Sequence, residues 1–426
     1  MSKDIFIIPR KKINGEYIIY APLQNIAFLG NKRAVEIVDK YIKGCEVTDE
    51  EKETIVWDYL TKIEAMRQTL PESKTIGSES SVVIILSQSC NLACTYCYAQ
   101  EARSSKILSK DKLKIVIDDV LSRSLLIVDF VFIGGGEPLI AWELIKWAIK
   151  YIYDNKKNST QVNITITTNA TLLTDEKIWY LKKYNVHLGI SFDILPRVQN
   201  TQRQFANLKC GSFDIVNAVI ENIDNAKISY SFRSTITKQN VELMPEMVRF
   251  VETNYKNVKK LHFEPVLSSI DNDQAFYNVF IESFMKAREF GLKNGIIVYN
   301  SISNSIDKLN SRFCRGEFCI TPTGAIVACH RISSENEPAF KFVNYGFVNE
   351  QVNFNLSQRS EVYKRFNEKY EKCATCFAKW HCAGGCLADR LVQSPEQQQD
   401  KCYFTKSLIA LLLEERLTNN NLGTVV

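Results

Sequence analysis

The chain has 426 residues, of which 45% are hydrophobic and 24% charged, with a formal net charge of +5. That hydrophobic share excludes a disordered chain, and the length predicts about two to three domains around a sizeable core. No Lys/Arg run marks a nucleic-acid footprint, no stretch has the length of a membrane span, and the N-terminus lacks the apolar core of a secretion signal. A cytoplasmic protein with no nucleic-acid or membrane partner is therefore expected.

In chain order, Ile5 to Ile8 and Tyr17 to Tyr20 read as short strands, and Asn31 to Lys43 as a helix closed by Gly44. Thr48-Asp49-Glu50-Glu51 has the form of a capping box opening a second helix to about Leu70, and Pro71 to Lys74 reads as a linker. Residues 1–72 are thus expected to form a small α+β unit. It either captures an extended peptide along a sheet edge or serves as a small cap packed on the next domain.

Strand-like runs follow at 82–87, 127–133, 162–168, 186–192, 228–236 and 260–266. Helical patterns near 109–123, 139–154, 174–184, 212–226 and 241–254 separate them. This alternation predicts parallel βαβ units, an α/β fold in which functional groups gather at the strands' C-terminal ends. Cys90, Cys94 and Cys97 follow the first of these strands in a C-x3-C-x2-C loop, with Tyr96 before the last Cys. Three thiolates hold three irons of a four-iron cluster and leave one open, whereas a structural zinc site needs four closed ligands. Gly134-Gly135-Gly136-Glu137-Pro138 follows the second strand, Asn169 ends the third, and Ser191-Phe192-Asp193 ends the fourth. Arg203 and Arg233 are the basic groups suited to a carboxylate through the guanidinium fork.

From residue 314 the composition changes. Cys314, Cys319, Cys329, Cys373, Cys376, Cys382, Cys386 and Cys402 form a C-x9-G-x4-C pattern through Gly324, then C-x2-C-x5-C-x3-C and a final Cys. Thr321-Pro322-Thr323-Gly324 predicts a turn that returns Cys329 beside Cys319. A structural zinc ribbon accounts equally for C-x2-C-x5-C-x3-C taken alone. Of the thirteen cysteines, Cys45 and Cys210 are left over. Cys210 is expected to be a small buried apolar group, a thiol hydrogen donor being the other reading.

The Cys90 loop with the glycine turn resembles the signature of the radical S-adenosylmethionine (radical SAM) enzymes. The C-terminal cysteines resemble the SPASM auxiliary-cluster domain of peptide-modifying members. The resemblance implies a partial (β/α)6 TIM-like barrel over 80–304 and a SPASM domain over 305–426. It further implies SAM held by Tyr96, Gly135, Gly136, Glu137, Asn169, Ser191, Asp193, Arg203 and Arg233. After Ser-x-Asp the family continues with Gly and Pro, where Ile194-Leu195-Pro196 stands here. Three [4Fe-4S] clusters are implied: one on Cys90, Cys94 and Cys97, one on Cys314, Cys319, Cys329 and Cys386, and one on Cys373, Cys376, Cys382 and Cys402. The N-terminal unit resembles the winged-helix peptide-recognition element of such enzymes. The expected function is maturation of a ribosomally made precursor peptide, with a flavodoxin or ferredoxin as electron donor. An anaerobic sulfatase maturase, which places an acidic residue where His330 stands, a small-molecule dehydrogenase and a non-catalytic iron-sulfur or zinc scaffold are the other readings.

Overall fold

A computed structural model describes residues 4–10, 13–66, 79–123, 125–208, 210–267, 272–307, 316–367, 373–382 and 384–419. The expected linker at Pro71 to Lys74 and Cys314 lie outside these residues.

The N-terminal unit is a three-stranded antiparallel meander, β1 (Phe6–Pro9), β2 (Tyr17–Ala21) and β3 (Ile26–Gly30). Three helices follow, α1 (Lys32–Lys43), α2 (Asp49–Lys52) and α3 (Ile55–Ala65). Strand β3 adds to the two strands read from sequence. The capping box forms as expected, Thr48 and Glu51 bonding reciprocally, but the helix it opens stops at Lys52. The Thr54 hydroxyl then accepts from the Trp57 amide and starts α3, so one expected helix is two. Side chains alternate across β2: Ile19 and Ala21 join a small core with Phe28, Val38 and Leu60, while Ile18 and Tyr20 face the main core. The unit is fastened to the C-terminal region. Tyr20 Oη lies 2.6 Å from His381 Nε2, Trp380 Nε1 donates to Asp4 at 2.8 Å, and Arg10 pairs with Glu414.

The parallel strands are β4 (Ser81–Ile85), β5 (Ile127–Ile133), β6 (Gln161–Thr168), β7 (His187–Ser191), β8 (Tyr230–Ile236), β9 (Lys260–Pro265) and β10 (Ile297–Tyr299). Between them run α4 (Lys110–Ser122), α5 (Trp142–Asn155), α6 (Asp175–Lys183), α7 (Pro196–Gln202), α8 (Phe213–Ala226), α9 (Met244–Asn254) and α10 (Gln274–Lys293). The six expected βα repeats are present, and β10 extends them by one further parallel strand. Apolar residues such as Val82, Ile84, Phe130, Phe132, Ile164 and Ile166 are buried in the main core.

After α11 (Ser301–Asp307) come β11 (Cys319–Ile320), β12 (Ala325–Val327), α12 (Phe340–Val343), β13 (Asn344–Val348) and β14 (Val352–Phe354). The chain then continues through α13 (Leu356–Asn367), α14 (Lys379–Cys382), α15 (Leu387–Val392) and α16 (Pro395–Asn419). The sheet order is β10-β9-β8-β7-β6-β5-β4-β11-β12-β13-β14. The parallel sheet is therefore open, and the C-terminal strands continue it past β4. The division expected after residue 304 is crossed by sheet hydrogen bonding, with Cys319 paired to Val83. Among the described residues no helix is long and apolar enough to cross a membrane.

A buried ion-pair triad ties these parts together. Glu79, just before β4, accepts from Arg123 at 3.2 Å and from Arg359 of α13, and the side chains of all three are less than a tenth exposed. Removing the carboxylate leaves buried Arg359 without this ion-pair partner, while Arg123 keeps its second one, Asp119, at 2.6 Å. We predict that Glu79→Ala lowers unfolding free energy by about 3–5 kcal/mol, read as a shifted denaturant midpoint.

Candidate active site at the C-terminal strand ends

The loop after β4 is pinned from two sides. Ala93 and Thr95 donate their amides to Gln204 and Gln202 carbonyls at 2.8 and 2.9 Å, and Leu92 is buried beneath them. The glycine turn after β5 lies directly on the same loop: Gly136 N donates to Ser87 O at 2.9 Å and Glu137 N to Ser89 O at 2.8 Å. A Cβ on Gly136 would lie 1.8 Å from the Ser89 carbonyl oxygen, and one on Gly135 would lie 2.6 Å from Ser333 Oγ. Only glycine permits this approach.

The loop opens into a cavity of about 460 Å³ lined by Cys90, Cys94 and Cys97. Burial pushes the Cys90 thiol up to about 11. It raises Cys94 as well, against the opposing charge of Arg203. Such thiols become ligands only when a strong positive centre displaces their protons. Among the described residues no three His, Cys, Asp or Glu donors converge where a single metal ion could sit. An iron-sulfur cluster asks for a different arrangement, each thiolate taking its own iron around a loop. Three thiols lining one cavity, with clashing room for nothing larger than glycine behind them, fit that group.

The two carboxylates assigned from sequence are both buried and hydrogen-bonded, and Glu137 also lines the cavity. Glu137 is buried and accepts from Thr168 Oγ1 at 2.6 Å, Asn169 N at 2.8 Å and Leu139 N at 3.0 Å, so it ties the glycine turn to the end of β6. Burial raises its pKa, and these hydrogen bonds oppose the rise. Asp193 is fully buried and accepts from Tyr96 Oη at 2.6 Å, Gln202 and Arg203 Nε at 3.1 Å, and Ser234 Oγ and Thr235 N at 3.2 Å. Its oxygens are committed to protein donors. It holds Tyr96 and Arg203, whose guanidinium carbon lies 5.3 Å over the Tyr96 ring. Ile194 next to it has φ of 67°, the left-handed conformation that glycine adopts without strain. In a β-branched residue this costs on the order of 1–3 kcal/mol.

Asn169, Ser191, Arg203 and Arg233 line the cavity as expected. Arg233 is exposed there, with no ion-pair partner among the described residues, and so is open to a carboxylate. Sequence reading missed the far wall. His262 and Glu264 at the end of β9 line the cavity, 3.0 Å apart, with His262 stacked on Tyr299 at 4.9 Å. Burial works against the Glu264 carboxylate, but hydrogen bonds from His262 and Ser301 N, with the charge of Lys401, hold its pKa to about 2. The signal available was position, since both stand where the sixth strand ends.

The C-terminal region supplies the remaining wall with Glu317, Cys329, His330, Arg331 and Cys386. The turn at Gly324 (φ 91°) folds β11 back on β12 and sets Cys319 opposite Val327. Cys319, Cys329 and Cys386 are raised chiefly by burial, and the charge of Cys329 acts on Cys319 as that of Cys386 acts on Cys329. Cys382, pushed up to about 12 by burial, feels Cys402, Cys376 and Cys373. Cys329 is thus within electrostatic reach of Cys319 and Cys386, and Cys382 within reach of Cys373, Cys376 and Cys402. Cys45 and Cys210 are both exposed, so Cys210 is not the buried apolar group expected. Nor does it line the cavity. It stands in the exposed stretch before α8, where no core element covers it.

The family model of the Radical SAM superfamily matches residues 84–251. The radical SAM cyclopropyl synthase TigE of Paramaledivibacter caminithermalis is 26% identical over 394 residues, covering 82% of this chain and 78% of that protein. A cysteine-type anaerobic sulfatase-maturating enzyme of Clostridium novyi is 22% identical over 374 residues, covering 78% and 96%. Among solved structures, native anSMEcpe with bound AdoMet has a TM-score of 0.68 at 20% identity, covering 80% of this chain and 98% of that one. Streptococcus suis SuiB bound to precursor peptide SuiA has a TM-score of 0.54 at 14% identity, covering 93% and 97%. These structural likenesses show the fold.

Because Asp193 orients Tyr96 and Arg203 and touches no cysteine assigned to iron, Asp193→Asn is expected to retain parental iron. SAM cleavage to 5'-deoxyadenosine should fall roughly 10–100-fold, the scale on which losing an orienting partner acts. Iron assay and chromatographic quantitation of 5'-deoxyadenosine check the two halves separately.

Proposed function

We propose that this chain, whose residues 84–251 match the Radical SAM superfamily, matures a ribosomally made precursor peptide, forming a thioether or carbon-carbon crosslink. The observation that carries this reading is the composite cavity: Cys90, Cys94 and Cys97 share it with Cys329, His330 and Cys386 of the C-terminal region. Cys90, Cys94 and Cys97 would hold a four-iron cluster, and SAM bound there would supply hydrogen-abstracting radical chemistry. The chain's own residues bind and orient. Arg233 offers a fork to a carboxylate, Tyr96 and Arg203 are held by Asp193, and Glu137 fixes the glycine turn. Two further four-iron clusters would be held by Cys314, Cys319, Cys329 and Cys386, and by Cys373, Cys376, Cys382 and Cys402. The two sets of thiols within electrostatic reach of one another support that division. A flavodoxin or ferredoxin would supply electrons in the cytoplasm.

The N-terminal unit supports a peptide substrate. Three strands and then three helices resemble a peptide-recognition element, and an outer strand of such a sheet can add an extended leader through main-chain hydrogen bonds. SuiB, whose fold this chain shares, is solved with its precursor peptide SuiA.

A sulfatase maturase is the second reading, favoured by one observation. His330 stands where those enzymes place an acid, but Glu317 reaches the same spot. It accepts from His330 N at 2.7 Å and lies 2.9 Å from His330 Nδ1, within the cavity wall.

Three outcomes are expected. Anaerobically reconstituted protein should hold about twelve irons, and changing Cys90, Cys94 and Cys97 together to Ala should remove about one third. Tight zinc without acid-labile sulfide would overturn the cluster assignment. A precursor peptide stripped of its leader should turn over orders of magnitude more slowly than the full peptide, while SAM cleavage without substrate stays intact. Deleting the N-terminal unit is a poorer test, because Ile18 and Tyr20 belong to the main core. Incubation with a short sulfatase-derived peptide should yield no formylglycine by mass spectrometry; robust formylglycine would establish the second reading instead.

A further inference from the structure

Three successive turns follow Cys94. Cys97 N donates to Cys94 O at 3.2 Å, Gln100 N to Cys97 O at 3.3 Å, and Arg103 N to Gln100 O at 3.4 Å. They bring Arg103 back over the loop it follows. Its Nη1 donates to the Leu92 carbonyl, and its Nη2 lies 3.4 Å from Cys97 Sγ. Arg103 lines the cavity, no carboxylate pairs with it among the described residues, and its charge acts on Cys90, Cys94 and Cys97 together. Its Nε is buried without any hydrogen-bond partner.

The last point is the informative one. Nε–H and Nη2–H form one edge of the guanidinium and point the same way, as two parallel donors suited to two adjacent acceptors. Here one donor meets a cysteine sulfur and its neighbour meets nothing. A buried donor left unmade costs about 1–3 kcal/mol, so an acceptor beside Cys97 Sγ is expected at this edge. A surface arginine held only by the Leu92 carbonyl would have no reason to bury Nε.

We propose that Arg103 is a positioning residue for the SAM-binding cluster, its guanidinium edge donating to Cys97 Sγ and to a neighbouring sulfur of the cluster. Reduction adds one electron to an already anionic group. A fixed cation with two N–H donors on its sulfurs stabilises the reduced state and so raises the reduction potential. Arg103 thus makes the cluster easier for an electron donor to reduce. This rests on the radical SAM assignment and is independent of which substrate the enzyme takes.

The test is a redox titration of the full-length, reconstituted enzyme by EPR, following the component that changes when SAM is added. That component must be present in the parent protein; its absence there would refute the cluster assignment itself rather than the role of Arg103. R103Q, which removes the charge, is expected to keep parental iron and disfavour reduction about tenfold, about 59 mV for a one-electron couple. R103K, which keeps the charge but loses the fork, should fall between R103Q and parent. Parental potential in either variant that retains its iron overturns the proposal. If neither variant retains iron at this site, Arg103 is a scaffold for the loop through Leu92, and the proposal is likewise overturned.

Discussion

Two backbone strands lying side by side organise the molecule: β11 pairs in parallel with β4, Val83 N donating to Phe318 O at 2.9 Å and Cys319 standing opposite Val83. Strand β4 delivers the Cys90 loop at its C-terminal end, and β11 runs the same way beside it. The β11–β12 turn then returns Cys329 and His330 to the cavity wall. Without this pairing the C-terminal cysteines would belong to a separate module tethered at residue 304. With it, the strand before the Cys90 loop and the strand that carries Cys319 are neighbours in one sheet, and further contacts join the two regions. Gln88 in the cluster loop donates to Ser333 O at 2.6 Å, and Ser333 packs where a side chain on Gly135 would have to go. The glycine turn is thus shaped in part by the C-terminal region.

Electrostatics sorts the site into groups that are committed and groups that are open. Asp193 and Arg203 are both desolvated, and each is tolerable only because the other is there and Tyr96, Gln202, Ser234 and Thr235 satisfy the remaining lone pairs. The strained backbone at Ile194 sits beside this hub, where dense hydrogen bonding can hold an unfavourable conformation. Arg233, His262 and Glu264 face the cavity from the later strands. They add polar and charged groups to the same cavity that the three thiols line.

The N-terminal unit follows the same logic of shared surfaces. Its sheet has a core on each face, its own helices on one and the main core on the other. It is fixed to α14 and α16 through Tyr20, Asp4 and Arg10.

Sequence by itself determined the elements and the thiols. Alternating apolar runs and helical patterns mark the six βα repeats because side-chain periodicity is a local property, and Cys90, Cys94 and Cys97 are recognisable by spacing because a loop fixes their separation. Local caps were legible for the same reason, as Thr48 with Glu51 shows. Strand β3 and the break at Thr54 were not, since short elements carry few periodic residues. Only tertiary structure decided that the sheet runs on through β11, that Asp193 and Glu137 are buried and hydrogen-bonded, and that Arg103, His262, Glu264 and Glu317 reach the cavity. These outcomes depend on contacts between residues far apart in the chain, and Asp193 shows why. Five protein donors from separate segments of the chain meet on that one carboxylate, and nothing local in the sequence announces them.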